Sequence, residues 1–428
     1  MSQSTDTYLH KRFLWTWDHS VNWSPASLAG LGRDRGSSGA YPKSKTVFLD
    51  DYRRLIDFMQ RHTLNGLVIW GFLRDAHGGV DTALELCKYA NDRGVGVIPG
   101  VGATAYGGIY YEGSHPYNML TWCAKHPDLA AKNPELRETA TCPSKPANRE
   151  WVRDGITWLF ETFPIAGVNI EMGDYGVCQC RECIRNRKQA AYRSAEGHFS
   201  LDDVSRFLAP LCQTLTHDWP AKDIIYATYT DFGRAFPATV LQTMPEQAIA
   251  QWNISGMITP EAGFPYNRFF SAGEPVNAAP ASRNIGYIHH GSQWYLYTRE
   301  DPVPKSIKRG IDIASQSGME GALLHGEVAA SSIPNRINYL VFSYFSAQPN
   351  ASWQGFIDDA LAGMFPNADL AHTFWGFLTG TAGDVSAYSR FLTKCPDLNQ
   401  TAWWNWLKKY LQRHRFMQQE FPHHYPGH

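Results

Sequence analysis

Eight short apolar runs alternate with helix-patterned stretches, and this alternation constrains the fold more than any single motif. The predicted strands are Phe13–Trp17, Leu67–Phe72, Gly96–Val101, Val168–Glu171, Ile224–Tyr229, Ile249–Asn253, Ile285–His289 and Gly321–His325. The predicted helices are Asp50–His62, Val80–Arg93, Asn148–Phe163, Leu201–Asp218 and Pro304–Ser317, with one near Arg336–Ser346 closing the series. Strands and helices in alternation imply βαβ units and a parallel sheet. Eight such repeats at this length favour an α/β fold of the (β/α)8 TIM-barrel kind over an open doubly wound sheet. The absence of a phosphate-binding glycine fingerprint also counts against a dinucleotide fold. The barrel is expected over residues 1–347. After Ala347 the pattern breaks, and 348–428 reads as a C-terminal helical region packed on the barrel. Trp403, Trp404 and Trp406 are expected to serve as packing residues there.

The connections have unequal lengths. Helix-to-strand links such as Thr63–Gly66, Pro164–Gly167 and Gly318–Glu320 are short. Strand-to-helix links, such as Asp18 to Phe48 and Gly102 to Ala147, are long and rich in aromatic and polar residues. A barrel builds its site from the long loops at the C-terminal strand ends. Nearly every predicted strand delivers polar groups there. They are Trp17, Asp18 and His19; Trp70, Arg74, Asp75 and His77; Tyr111 and Glu112; Glu171 and Asp174. The later strands add Tyr229 and Asp231; Trp252 and Asn253; His289, His290 and Trp294; His325 and Glu327. One acid at such a position is often a structural ion pair, whereas several converging acids are seldom all structural.

The segment Gly167–Cys183 concentrates this chemistry. A short apolar strand ends in Glu171 and Asp174, and three cysteines follow. A carboxylate beside apolar neighbours is costly unless paired, and desolvation raises its pKa. Glycoside hydrolysis needs such an acid, together with a second carboxylate as nucleophile or as base for water. Glu171 is the candidate acid, with Glu327 or Asp174 as partner. Arg74 and His77 are placed to meet a uronic-acid carboxylate, since arginine offers carboxylates a bidentate fork. The competing readings are a barrel-core Glu171 paired with Arg74, an Asp174 that orders its loop, and an Asp18 that caps one. The histidines could hold a metal with aspartate, but no His-x-His or His-Glu-x-x-His element supports this, and hydrogen bonding to substrate is the preferred reading.

Cys178-x-Cys180-x-x-Cys183 has the spacing of metal ligands, and Cys142, just before the predicted helix Asn148–Phe163, is the best fourth ligand. A structural zinc held by Cys142, Cys178, Cys180 and Cys183 would pin the loops after strands three and four. The alternatives are packed thiols or a disulfide. No organic cofactor is indicated.

Composition narrows the partners. The formal net charge is −1, with no basic stripe for nucleic acid and no apolar run long enough for a membrane span. The polar N-terminus lacks an apolar signal core, so a cytoplasmic location is expected, or a periplasmic one if a signal has been removed. The 15 Trp, 21 Tyr and 22 Phe are many, and those beside Asp, Asn and His suit the apolar faces and hydroxyl edges of sugars. The expected partner is therefore a carbohydrate substrate. The oligomeric state is not indicated.

Cys142-Pro-Ser-x-Pro, a helix, then a strand ending Glu171-x-x-Asp174 and Cys-x-Cys-x-x-Cys resembles a broad bacterial family of uncharacterised glycosidase-like barrels. That family is allied to α-glucuronidases and β-hexosaminidases. Asn338-Tyr339 and Trp353 to Asp359 resemble the helical segment after the barrel in those enzymes. The resemblance implies carbohydrate at the barrel mouth and an acid at the end of strand four, here Glu171. This chain departs from it in two ways. Hexosaminidases carry adjacent Asp-Glu where Ile170-Glu171 stands, which argues against acetamido assistance. Strand seven offers His289-His290 where retaining enzymes often place a glutamate nucleophile. The expectation is an exo-acting hydrolase of an acidic or decorated glycan, inverting through Glu327 or Asp174. The alternatives are a lyase or isomerase with a His or Tyr base, and a barrel that only binds glycans.

Overall fold

A computed structural model describes residues 9–31, 43–133, 139–173, 177–187, 200–231, 238–254, 281–291, 302–378, 390–391 and 393–394. Eight strands form a closed parallel barrel in sequence order. They are β1 Lys11–Trp17, β2 Gly66–Trp70, β3 Gly96–Gly102, β4 Gly167–Glu171, β5 Asp223–Asp231, β6 Ile249–Asn253, β7 Arg283–Ile288 and β8 Gly321–His325. β8 pairs with β1, setting Trp15 opposite His325, while β1 sets Trp17 opposite Trp70 on β2. The chain is thus a (β/α)8 TIM barrel.

The helices are α1 Pro25–Leu31, α2 Lys45–Arg61, α3 Gly79–Asn91, α4 Met119–Lys125, α5 Pro146–Thr162 and α6 Arg181–Asn186. There follow α7 Leu201–Asp203 and α8 Ala209–Asp218, joined by a π turn, and then α9 Ala238–Leu241. The chain continues through α10 Pro304–Gln316, α11 Ile333–Ala347, α12 Trp353–Phe356 and α13 Ala368–Leu378. Ser44 caps α2 and Asn118 caps α4. Pro146, Pro304 and Pro334 stand in the first turns of their helices, where the missing N–H has no intrahelical partner to lose.

Side chains alternate across each strand, and this divides the apolar residues into two cores. Phe13, Trp15 and Trp17 point into the barrel with Val68, Trp70, Ile98, Ile225, Ile249, Ile285, Tyr287 and Leu323. Leu14, Leu67, Ile69, Val168, Ile170 and Ala250 point outward against the helices. The interior is thus packed rather than hollow, as expected for an eight-strand barrel. Gly100 makes room for it, because a Cβ there would lie 2.4 Å from the Trp70 ring.

The predicted strands agree with the observed ones to within about two residues at either end. The helix starting at Asp50 in sequence begins at Lys45, where Ser44 supplies the cap. α1, α4, α6 and α9 have no predicted counterpart, being too short to show a helical period. Among the described residues, no helix is long and apolar enough to cross a membrane.

Candidate active site

The C-terminal ends of the strands bring an aromatic group together with several acids. Trp17 is surrounded by Trp15, Trp70, Tyr106, Tyr111 and His19, at ring separations of 5.1 to 6.2 Å. The indole N–H groups of Trp15 and Trp17 are buried and meet no protein acceptor among the described residues. Both rings belong to the interior phase of β1 and pack within the barrel.

Asp18 follows β1 directly and is almost fully buried. Arg74 grips it with two nitrogens, Nε at 2.6 Å and Nη2 at 3.0 Å. His19 and His77 lie 3.6 and 3.8 Å away. Burial alone would raise the Asp18 pKa, but Arg74 and then the hydrogen bond from His19 outweigh it, and it falls to about 2. Gly71 allows this pairing, since its φ is +77° and a Cβ there would lie 1.9 Å from Asp18 Oδ1. Arg74 also pairs with Glu112 and lies 4.2 Å over the Tyr111 ring. Its guanidinium is therefore held within the protein. His77 is fully buried, stacks on Phe48 at 3.8 Å and contacts Gly71 O at 3.1 Å. The expectation that Arg74 and His77 face a substrate carboxylate is corrected on these grounds. Asp75 is a loop strut, accepting from the Tyr110 hydroxyl and, at 3.0 Å, from Ser114 N–H.

Glu171 ends β4 in the interior phase, two residues after Asn169, and is paired in register with Gly102. It is half-buried, whereas its neighbour Ile170 packs outward. Beneath it Asn169 Nδ2 donates to Gln251 Oε1 at 2.8 Å, and Trp70 Nε1 donates to Asn169 Oδ1 at 3.3 Å. This polar bridge supports the floor of the mouth.

Glu327 lies two residues past β8 and is sealed from solvent. Its Oε1 accepts the Trp17 backbone N–H at 2.9 Å and lies 3.8 Å from His325 Nδ1. His325 Nε2 in turn contacts the Tyr287 hydroxyl, and the His289 ring lies 4.9 Å from that of His325, tilted by 36°. Burial, then His325 and His290, keep His289 far below the ordinary histidine range and therefore neutral. Tyr287 and His325 are thus joined at the base of the mouth, with Glu327 beside them. The sequence reading missed Tyr287 and Tyr106, although Tyr287 stands two residues before His289 and so shares its face.

Two expected contacts point the other way. Trp252 belongs to the outer core and donates Nε1 to Asn284 Oδ1 at 2.8 Å. His290 Nε2 meets Asn338 Nδ2 of α11 at 3.2 Å. Strand parity explains both, because Gln251 and His289 take the inward positions. Asn253, in phase with Gln251, is half-buried. Asp174 and Trp294 lie outside the described residues, as do the side chains of Tyr229 and Asp231.

Cys142, Cys178, Cys180 and Cys183 converge, with their sulfurs all within 4.8 Å of one another. Cys142 Sγ is 3.5 Å from Cys183 Sγ and 3.8 Å from Cys180 Sγ. Four sulfurs tetrahedrally placed about 2.3 Å from a metal would be about 3.8 Å apart, so this group can hold one. Lys132 N–H donates to Cys178 Sγ at 3.3 Å and Cys183 N–H to Cys180 Sγ at 3.4 Å. Hydrogen bonds from Cys142 and Cys183 pull the Cys178 thiol far down and leave the proton on Cys142. Arg187 donates to the Cys178 carbonyl, Arg206 to Ser144 Oγ, and both hold Asp203. These cations suit the negative charge of a thiolate cluster.

No protein-family model matches the chain, and no curated protein does. Its likeness to solved structures is one of fold. An Anoxybacillus alpha-amylase aligns at 11% identity and TM-score 0.47, over 79% of each chain. A beta-N-acetylhexosaminidase aligns at 12% and 0.47, over 81% of this chain and 74% of that one. A cyclic alpha-maltosyl-(1→6)-maltose hydrolase from Arthrobacter globiformis aligns at 11% and 0.45, over 79% and 82%.

Proposed function

We propose that this protein is a glycoside hydrolase acting at the C-terminal mouth of the barrel, with Glu171 as general acid. The observation that carries the reading is a half-buried carboxylate on the interior phase of β4, at the same barrel end as the cluster of aromatic rings about Trp17. Aromatic faces suit sugar C–H surfaces, and indole N–H groups suit their hydroxyls. The packed barrel interior forms the floor of the mouth, and we read the enzyme as exo-acting on a decorated glycan. Arg74, being taken by Asp18 and Glu112, is not the group that would select an acidic sugar.

Glu171 would protonate the departing glycosidic oxygen. Glu327, sealed and bonded to Trp17 N–H, suits holding the strand end better than activating water. Asp174 is then the candidate partner on sequence grounds. An inverting mechanism would set the two carboxyl groups about 6.5–9.5 Å apart. The test is Glu171→Gln, which keeps the shape and removes the proton. Turnover of natural glycosides should fall about a hundredfold or more. Glycosides with an activated leaving group need no protonation and should suffer least. Equal losses on both kinds, or full activity, would remove Glu171 from this role.

The hydrogen-bonded Tyr287–His325 pair favours a second reading, a carbohydrate lyase or isomerase with a Tyr or His base. Reaction in isotopically labelled water separates the two. A hydrolase places the label in the released sugar, whereas a lyase forms an unsaturated product without it. The four cysteines are proposed to hold a structural zinc that pins the loops after β3 and β4.

A further inference from the structure

We infer that the groove between α2 and α11, on the outside of the barrel, binds a small molecule carrying a phosphate or sulfate group. The groove runs along the seam where β1 closes on β8, since α2 follows β1 and α11 follows β8. Its volume is about 650 Å3, and its lining includes Arg54, Arg61, His62, Arg336, Trp23 and Phe58. Such a volume lies within the usual range for small-ligand sites, about 300–1,000 Å3, and exceeds what a bare oxyanion needs.

Charge identifies the ligand class. Arg61 comes from the last turn of α2 and Arg336 from the first turn of α11. Among the described residues neither guanidinium has a carboxylate partner. Asp57, the carboxylate of the lining, is taken by Arg93 and by the Tyr89 hydroxyl, each at 2.7 Å. Arg54 bonds Asp50 at 2.8 Å, which leaves Arg61 and Arg336 unopposed. Their mutual field is felt locally. Partial desolvation in the open groove and then Arg61 lower the Arg336 pKa, and desolvation, Arg61 and Arg336 bring His62 down to about 4. Two guanidiniums repelling one another without a counter-charge are what a tetrahedral oxyanion relieves, each offering a fork of N–H donors. Trp23 and Phe58 form an aromatic floor, their rings 5.4 Å apart, for the organic part of the ligand.

Isothermal titration of the full chain with inorganic phosphate, sulfate, a hexose phosphate and the neutral hexose tests this. The anions should bind saturably and the neutral hexose should not. Arg61→Ala and Arg336→Ala should each weaken anion binding by about tenfold or more, since each removes one charged fork. Arg153→Ala, a change on α5 outside the groove, should leave it unchanged. Both groove arginines are exposed, so unchanged melting temperatures are expected and will separate lost binding from lost folding. Tighter binding of the hexose phosphate than of phosphate would make an ester the ligand, and the reverse order a free anion; either order supports the site. The inference is overturned if no anion saturates, if the neutral hexose binds equally well, or if the Arg61→Ala, Arg336→Ala double variant binds undiminished.

Discussion

Asp18 shows at the scale of one residue how the mouth is held. Its pKa lies near 2 against an ordinary 3.8, so it binds a proton less readily in the folded state than in the unfolded one. Its contribution to stability is therefore complete above about pH 4 and is lost as pH falls through about 2. A shift of this size corresponds to about 2 kcal/mol. Arg74→Met leaves the buried carboxylate without its cation, and should cost about 3–5 kcal/mol at neutral pH. That deficit should shrink in acid, where the carboxyl is protonated and no longer needs a partner. Urea unfolding at pH 7 and pH 3 checks both points, and an equal deficit at both would reject the pairing as the cause. At this scale the sequence was legible in part. The strand-end acids could be located by counting strands, but their engagement could not, because Arg74 reaches Asp18 from 56 positions away. Facing was more accessible. Gln251 and Asn253 share a side of β6, and that parity already turns Trp252 outward.

At the scale of elements, the cysteine cluster joins pieces that could not stand alone. α6 has six residues, too few for a stable helix, and its Cys183 meets Cys142 from just before α5. If the cluster holds zinc, elemental analysis should find about one ion per chain. Removing it with a chelator should lower the melting temperature and expose the segments around Cys142 and Cys183 to proteolysis first, since metal binding and local folding are coupled. Zinc-free protein with an unchanged melting temperature would reject the role. The eight strands and the long helices were legible because each carries a full apolar run or period. The cysteine triplet was legible as spacing. The groups around it were less so, because Lys132 reaches Cys178 from 46 positions before it and Arg206 reaches Ser144 from 62 positions after it.

At the scale of the whole molecule, α11 is buried on nearly every side. Phe345 is fully covered, with Trp353 at 4.8 Å and Phe356 at 5.6 Å. A chain ending at Ala347 should therefore lose stability, by about 2–3 kcal/mol for Phe345 alone, and self-associate. Thermal melting and gel filtration check this, and an unaltered melting temperature would mean that the region beyond 347 is dispensable. The barrel was legible from the strand count, and its closure follows from the pairing of β8 with β1. The contents of its interior were less so, because β2, β4 and β6 meet there from far apart in the chain. Trp70, Asn169 and Gln251 come from those three alternate strands and form a polar tie inside an otherwise apolar barrel. Apolar strands can slide past one another at modest cost, and a cylinder of eight can close at more than one stagger. A one-residue slip of β4 would turn Asn169 out among the helices and Ile170 in, leaving Trp70 and Gln251 without the amide they meet. Each stranded polar group would cost about 1–3 kcal/mol. The amides thus work like the tumblers of a lock, admitting one stagger of the cylinder and with it one placement of Glu171 at the mouth.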